Sequence, residues 1–105
     1  MQQFRGIFGQ NERTMLNIET SNTYKKAYNR AIKRGWPIDK LNEVVFMLAN
    51  QQELPPKYDN HNLKGKYAGY KECHIQPDWL LIYKIESDRL VLFLLDTGTH
   101  SDLFG

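Results

Sequence analysis

Apolar and polar residues alternate over "MLNIET", with Leu16 and Ile18 on one side and Asn17 and Glu19 on the other, and this period of two predicts a half-buried strand. The period then lengthens. In "SNTYKKAYNRAIKRG" Tyr24, Ala27, Tyr28, Ala31 and Ile32 recur at helical spacing, between cap-forming Ser21 and Asn22 and a stop at Gly35. After the Trp36-Pro37 break, Asp39 is expected to cap a second helix whose apolar face is Leu41, Val44, Val45 and Leu48. Two helices joined by a short turn predict a helical hairpin. A polar connection, "ELPPKYDNHNLKGKYAG", leads to three strand-like runs, "YKECHI", "WLLIYKI" and "RLVLFLLDTG", separated by "QPD" and "ESD" turns. They read as an antiparallel meander. The last two runs hardly alternate, as expected of strands covered on much of both faces. Strand, helix, helix and three strands together predict an α+β sandwich of one sheet with one helical layer.

The first residues, "MQQFRGIFGQNERT", show neither period, so residues 1–14 read as an N-terminal extension or alternative start before a single domain at 15–105. A chain of 105 residues suffices for one core, and 41% hydrophobic with 25% charged residues is ordinary for a globular protein. No apolar run approaches the roughly 20 residues that span a bilayer, and the N-terminus lacks the order of a secretory signal, which points to a cytoplasmic protein with no membrane role. Cys73 is the sole cysteine and has no partner for an intrachain disulfide. A net charge of +2 is too mild to imply nucleic-acid binding. Its distribution is more suggestive. Lys25, Lys26, Arg30, Lys33 and Arg34 crowd one segment and Lys57, Lys64, Lys66 and Lys71 another, which fits either a polyanionic partner or ordinary solvated faces.

Four ionisable groups stand near the ends of segments: His61 in the connection, His74 at the end of a strand, Asp78 in the turn after Pro77, and His100 past the last strand. Histidine, with a reference pKa of about 6.5, can give or take a proton near neutrality. If these groups converge at one rim of the sheet, they suit metal-free cleavage of RNA. One group would remove the proton of a ribose 2′-hydroxyl, another would protonate the departing 5′-oxygen, and lysines would supply positive charge between them. Trp79 or Phe104 could stack on a splayed base. Each residue also has an ordinary reading: surface histidines, a turn aspartate, a core tryptophan, and a phenylalanine packing the C-terminal turn. A zinc site built from His61, Cys73, His74 and His100 is disfavoured, because Cys73 and His74 are strand neighbours that point to opposite faces.

From Met15 to Gly105 the chain resembles the YafQ-type toxins of the RelE/ParE superfamily, bacterial mRNA interferases of type II toxin-antitoxin systems. The resemblance rests on "HNLKGKYAGYKECHIQPDWLLIY" followed by "DTGTHSDLF", together with "MLNIETSNTYKKAYNRAIKRG" at the start. It implies a small α+β, microbial-ribonuclease-like sandwich acting on mRNA in the ribosomal A site without metal or other cofactor, with a leaning toward A-rich, lysine-type codons. It implies catalytic roles for His61, His74, Asp78 and His100. His100 would be the general acid, and Asp78 with His61 or His74 would activate or orient the 2′-hydroxyl. Phe104 and Trp79 would shape the pocket, with Lys64, Lys66 and Lys71 facing the phosphates. The implied partners are the ribosome with its RNA and a small antitoxin of the DinJ or RelB kind, either of which could meet the basic stripe of Lys26, Arg30 and Lys33. One position departs from the family: Asp96 stands where the best-known members carry an arginine, so this carboxylate is expected to face elsewhere or to orient a histidine. A ParE-like gyrase poison and a non-catalytic ribosome or antitoxin binder are the rival readings.

Overall fold

Among the described residues β1 (Asn17–Thr20) lies at the edge of the sheet, and it pairs in parallel with the last strand, β5 (Val91–Gly98). The structure, a computed structural model, describes residues 14–105, so the extension expected at 1–14 lies outside the described residues except for Thr14. β3 (Lys71–Gln76), β4 (Trp79–Glu86) and β5 form the expected antiparallel meander. A two-residue strand, β2 (His61–Asn62), which sequence patterning left inside the connection, closes the far edge antiparallel to β3. The order across the five-stranded sheet is β1-β5-β4-β3-β2. The sheet is therefore mixed rather than wholly antiparallel, because the chain crosses over through the helical hairpin between β1 and the meander.

α1 (Asn22–Lys33) begins at Ser21, whose hydroxyl accepts the Tyr24 N–H at 2.8 Å, and ends before Gly35, whose φ of +77° suits glycine. Its buried stripe is Tyr24, Ala27 and Ala31. Ile32, expected on that face, is exposed, because it lies at the margin of a narrow stripe. α2 (Ile38–Ala49) starts two residues earlier than expected. Pro37 takes the N-cap position, and Asp39 falls in the first turn, where its charge still favours the positive end of the helix. The Tyr28 hydroxyl and Asn42 Oδ1, 3.1 Å apart, tie the two helices together.

The hairpin covers one face of the sheet, with α1 on β5 and α2 on β3. Leu16, Leu41, Val44, Leu48, Cys73, Leu81, Tyr83, Leu92 and Leu94 form the main core there. Ile18, expected to be buried beside Leu16, is 47% exposed. Only the Leu16 end of this edge strand reaches α2, through a 2.7 Å bond from the Leu16 N–H to the Ala49 carbonyl. On the opposite face Leu80, Ile82 and Leu103 form a second, smaller cluster. It is covered by α3 (His100–Phe104) and by the segment carrying Leu63, Tyr67 and Tyr70. Among the described residues no helix is long and apolar enough to cross a membrane.

Candidate active site

Strand register gathers the first half of the site. His61 lies directly opposite Glu72, and His74 follows Glu72 by two residues, so all three project from one face, beside Ile82 and Leu80, their partners across β4. This is the face away from the helical hairpin. Cys73 projects the other way into the main core, as alternation requires. A β-bulge between His74 and Gln76 bends the strand into the Pro77-Asp78 turn, a device that re-aims side chains beside functional sites.

The second half comes from α3. Its N-terminus is fixed by a capping box in which the Thr99 hydroxyl accepts the Asp102 N–H at 3.0 Å and Asp102 Oδ2 accepts the Thr99 N–H at 2.9 Å. Arg34, at the end of α1, donates two further bonds to Asp102, at 2.7 and 3.2 Å, and holds this carboxyl well below the usual carboxylate range. Gly98 makes the approach possible, since a Cβ there would stand 2.8 Å from Asp102 Cβ. His100 thus begins a helix locked to the hairpin on the far side of the sheet.

Asp78 joins the two halves. Its Oδ1 accepts the His100 backbone N–H at 3.0 Å and lies 2.6 Å from His100 Nδ1. Those bonds hold the Asp78 carboxyl below its ordinary range, so it is acceptor-only and His100 Nδ1 carries the proton. Nε2 is left as the ring nitrogen able to exchange a proton with a ligand. The His100 and His74 rings meet edge to face with centroids 5.9 Å apart, and the His74 and His61 rings are 6.4 Å apart. The four groups singled out in the sequence therefore converge.

Sequence reasoning missed Glu72. It is 5% exposed, the one buried charged side chain among the described residues, and its Oε1 lies 3.2 Å from His61 Nε2 and 3.6 Å from His74 Nε2. The first distance permits a hydrogen bond; the second is too long for one. His61 Nδ1 is 2.8 Å from the Asp59 carbonyl, an acceptor, which fixes the ring with Nε2 toward Glu72. Asp59, in the left-handed conformation at φ +47°, also brings its Oδ2 to 3.6 Å from His74 Nε2. The available signal was the alternation of "KECHI", which puts Glu72 and His74 on the same side.

Other expected residues divide. Phe104 is 48% exposed and meets Tyr67 edge-on at 5.8 Å, with the Lys66 ammonium 5.2 Å over the Tyr67 ring and Lys64 exposed nearby in the chain. Trp79 has no ring face free for a base. It is 2% exposed, packs 4.9 Å from Trp36, and donates its Nε1–H to Thr97 Oγ1 at 3.0 Å, so the structure corrects its placement to the core. Lys71 is likewise corrected: one residue from Glu72, it projects to the hairpin side opposite Tyr83. Asp96 lies opposite Ile82 and so on the histidine side of the sheet, but it bonds to no histidine among the described residues: its Oδ1 accepts the Thr97 N–H at 2.8 Å. Burial raises the Asp96 pKa. Among the described residues no three His, Cys, Asp or Glu side chains are arranged to hold a metal ion.

A family model described as "Bacterial toxin of type II toxin-antitoxin system, YafQ" matches residues 16–105. The chain belongs to the YafQ toxin family. It is 42% identical over 90 residues to the mRNA interferase toxin YafQ of Escherichia coli K12, an alignment covering 85% of this chain and 96% of that one. The crystal structure of YafQ from E. coli BL21(DE3) superposes with a TM-score of 0.81 at 36% identity, covering 86% of this chain and 99% of that one. A metal-bound toxin from Helicobacter pylori also gives 0.81, at 44% identity, covering 86% and 100%. The toxin of the E. coli DinJ-YafQ complex gives 0.79 at 39% identity, covering 87% and 99%. Within the YafQ family, then, this chain couples a His-Glu-His face on β2 and β3 to a His-Asp pair at the α3 N-terminus.

Proposed function

We propose that the protein is a ribosome-dependent mRNA endoribonuclease, acting in the cytoplasm on mRNA in the ribosomal A site and restrained by a small antitoxin of the DinJ kind. The observation that carries this reading is the convergence of His74 and His100, whose rings meet edge to face with centroids 5.9 Å apart while Asp78 Oδ1 engages His100 Nδ1 from behind. A phosphodiester laid across the exposed edge of this pair comes within hydrogen-bond reach of both rings.

In the step this supports, the His74 imidazole takes the proton of the ribose 2′-hydroxyl. The 2′-oxygen attacks the adjacent phosphorus, the bond from phosphorus to the 5′-oxygen breaks, and His100 Nε2 delivers a proton to that oxygen. The products are a 2′,3′-cyclic phosphate and a 5′-hydroxyl, and no cofactor enters. Asp78 positions His100 rather than acting as the base, since its Oδ1 is already engaged. Glu72, 3.2 Å from His61 Nε2, helps to position that ring, and the positive charge that Asp96 cannot supply falls to Lys64 and Lys66. Phe104, backed by Tyr67, offers a face for a base, and Lys64 and Lys66 flank it. The exposed Lys26 and Lys33 of α1 suit a polyanion, either ribosomal RNA or an acidic antitoxin segment.

The test is to map mRNA 5′ ends in a translating extract supplied with purified toxin. Codon-phased cuts that disappear with His100→Ala are expected. Intact messages overturn the reading, and intact messages accompanied by DNA damage favour the gyrase poison.

A further inference from the structure

On the edge of β3 that β2 occupies, no strand among the described residues continues beyond Glu72, and the 3-10 turn Pro56–Tyr58 packs against β3. Between that turn, the first half of α2 and the end of β3 lies a cleft of about 280 Å³. Its walls include Lys40 and Glu43 from α2, Lys57 and Tyr58 from the turn, and His74 and Gln76 from β3. We propose that this cleft binds the nucleotide on the 5′ side of the cut, with Lys40 and Lys57 holding that nucleotide's own 5′ phosphate. The proposal rests on the interferase reading above.

Position gives the polarity. His74 belongs both to the reacting cluster and to the cleft wall, so whatever fills the cleft touches the group assigned to the 2′-hydroxyl. His100, assigned to the 5′-oxygen of the departing nucleotide, sits across the site on α3, the helix that also carries Phe104. The strand of RNA must therefore run from the cleft past His74 toward α3. Charge agrees with this course, because two ammonium groups, one from each wall, face one carboxylate, Glu43. Size agrees as well: the volume lies at the small end of ligand pockets, which begin near about 300 Å³, and suits one nucleotide rather than a folded segment. The Tyr58 ring, with the Lys57 ammonium 5.1 Å from its centroid, gives the wall a flat apolar surface beside a cation, as a nucleotide requires.

The experiment uses ribosomes programmed with a short synthetic mRNA in two forms, natural and with an uncharged methylphosphonate in place of the phosphate 5′ to the reacting nucleotide. The Lys40→Ala/Lys57→Ala variant is expected to lose about tenfold in kcat/KM on the natural message, as loss of a charge-assisted contact would give. The methylphosphonate should cost the wild type a similar factor, and the two losses should not multiply when combined. Both lysines are exposed, so thermal unfolding should not change, and the Lys→Gln pair should behave as the Ala pair does. Losses that multiply, or no loss at all, overturn the proposal while leaving the interferase reading intact. A variant that cuts normally but binds antitoxin more weakly also overturns it and makes the cleft an antitoxin contact. A wild type that cuts neither message overturns both readings.

Discussion

The two faces of the sheet use the same strands for opposite purposes. On the hairpin side, Cys73, Leu81, Tyr83, Leu92 and Leu94 are sealed beneath α1 and α2. The Cys73 thiol is pushed up to about 12, chiefly by burial and then by the nearby Glu72 charge, and is inert as a nucleophile. One residue to either side, Glu72 and His74 project from the other face into a cluster of ionisable groups. The difference lies in what covers each face. Two full helices exclude water from one, whereas a five-residue helix and one loop cover only Leu80 and Ile82 of the other, leaving its margin wet. A rigid apolar layer on one side is what lets unlike charges be held at fixed distances on the other.

Breaking each face separately should separate stability from activity. His100→Ala should lower cleavage of ribosome-bound mRNA by about 10²–10⁴-fold, the range for a positioned acid or base, with an unchanged unfolding transition. Trp79→Ala should do the reverse in kind, costing about 3–5 kcal/mol of stability by chemical denaturation, because it empties core volume and removes the donor to Thr97 Oγ1, which keeps only its own bond to the Leu80 carbonyl. Glu72→Gln keeps shape and removes charge. It should reduce kcat by about tenfold or more with KM unchanged, since a side chain this buried does not reach the message, and it should leave the melting temperature nearly constant.

The smallest effect sharpens the link between faces. Asp102 is ionised in the fold at pH values where an unfolded aspartate, with a pKa near about 3.9, takes up a proton. Its pairing with Arg34 therefore stabilises fully above that value and is lost as pH falls toward the lower folded pKa. Melting temperatures followed from about pH 5 to pH 2 should drop less steeply in Arg34→Ala than in the wild type. Equal slopes would mean that Arg34 does not set the Asp102 charge.

Much of this arrangement was legible in one dimension. The hairpin, the meander and the opposition of Cys73 to His74 follow from periods of 3.6 and 2, which belong to the backbone. The boundaries and margins were less so. Asp39 had the chemistry of a cap but not the position, and Ile18 had the alternation of a buried strand residue but an edge location. Trp79 and Lys71 were misplaced for one reason: residue type suggested a ligand, while face decided exposure. Glu72 went unremarked because a lone glutamate in a strand ordinarily faces solvent, and only the pairing of β2 with β3 buries it between two histidines.

Residue order alone determined the α+β layering, the side on which each strand residue projects, and the YafQ motifs themselves, since these depend on local geometry and spacing. Tertiary structure alone decided the rest. The parallel crossover of β1, the docking of α3 through Arg34, Asp102 and Gly98, and the bond from Asp78 to His100 join residues far apart along the chain. Spacing cannot express such contacts, because they exist only once packing has brought the segments together and excluded water from between them.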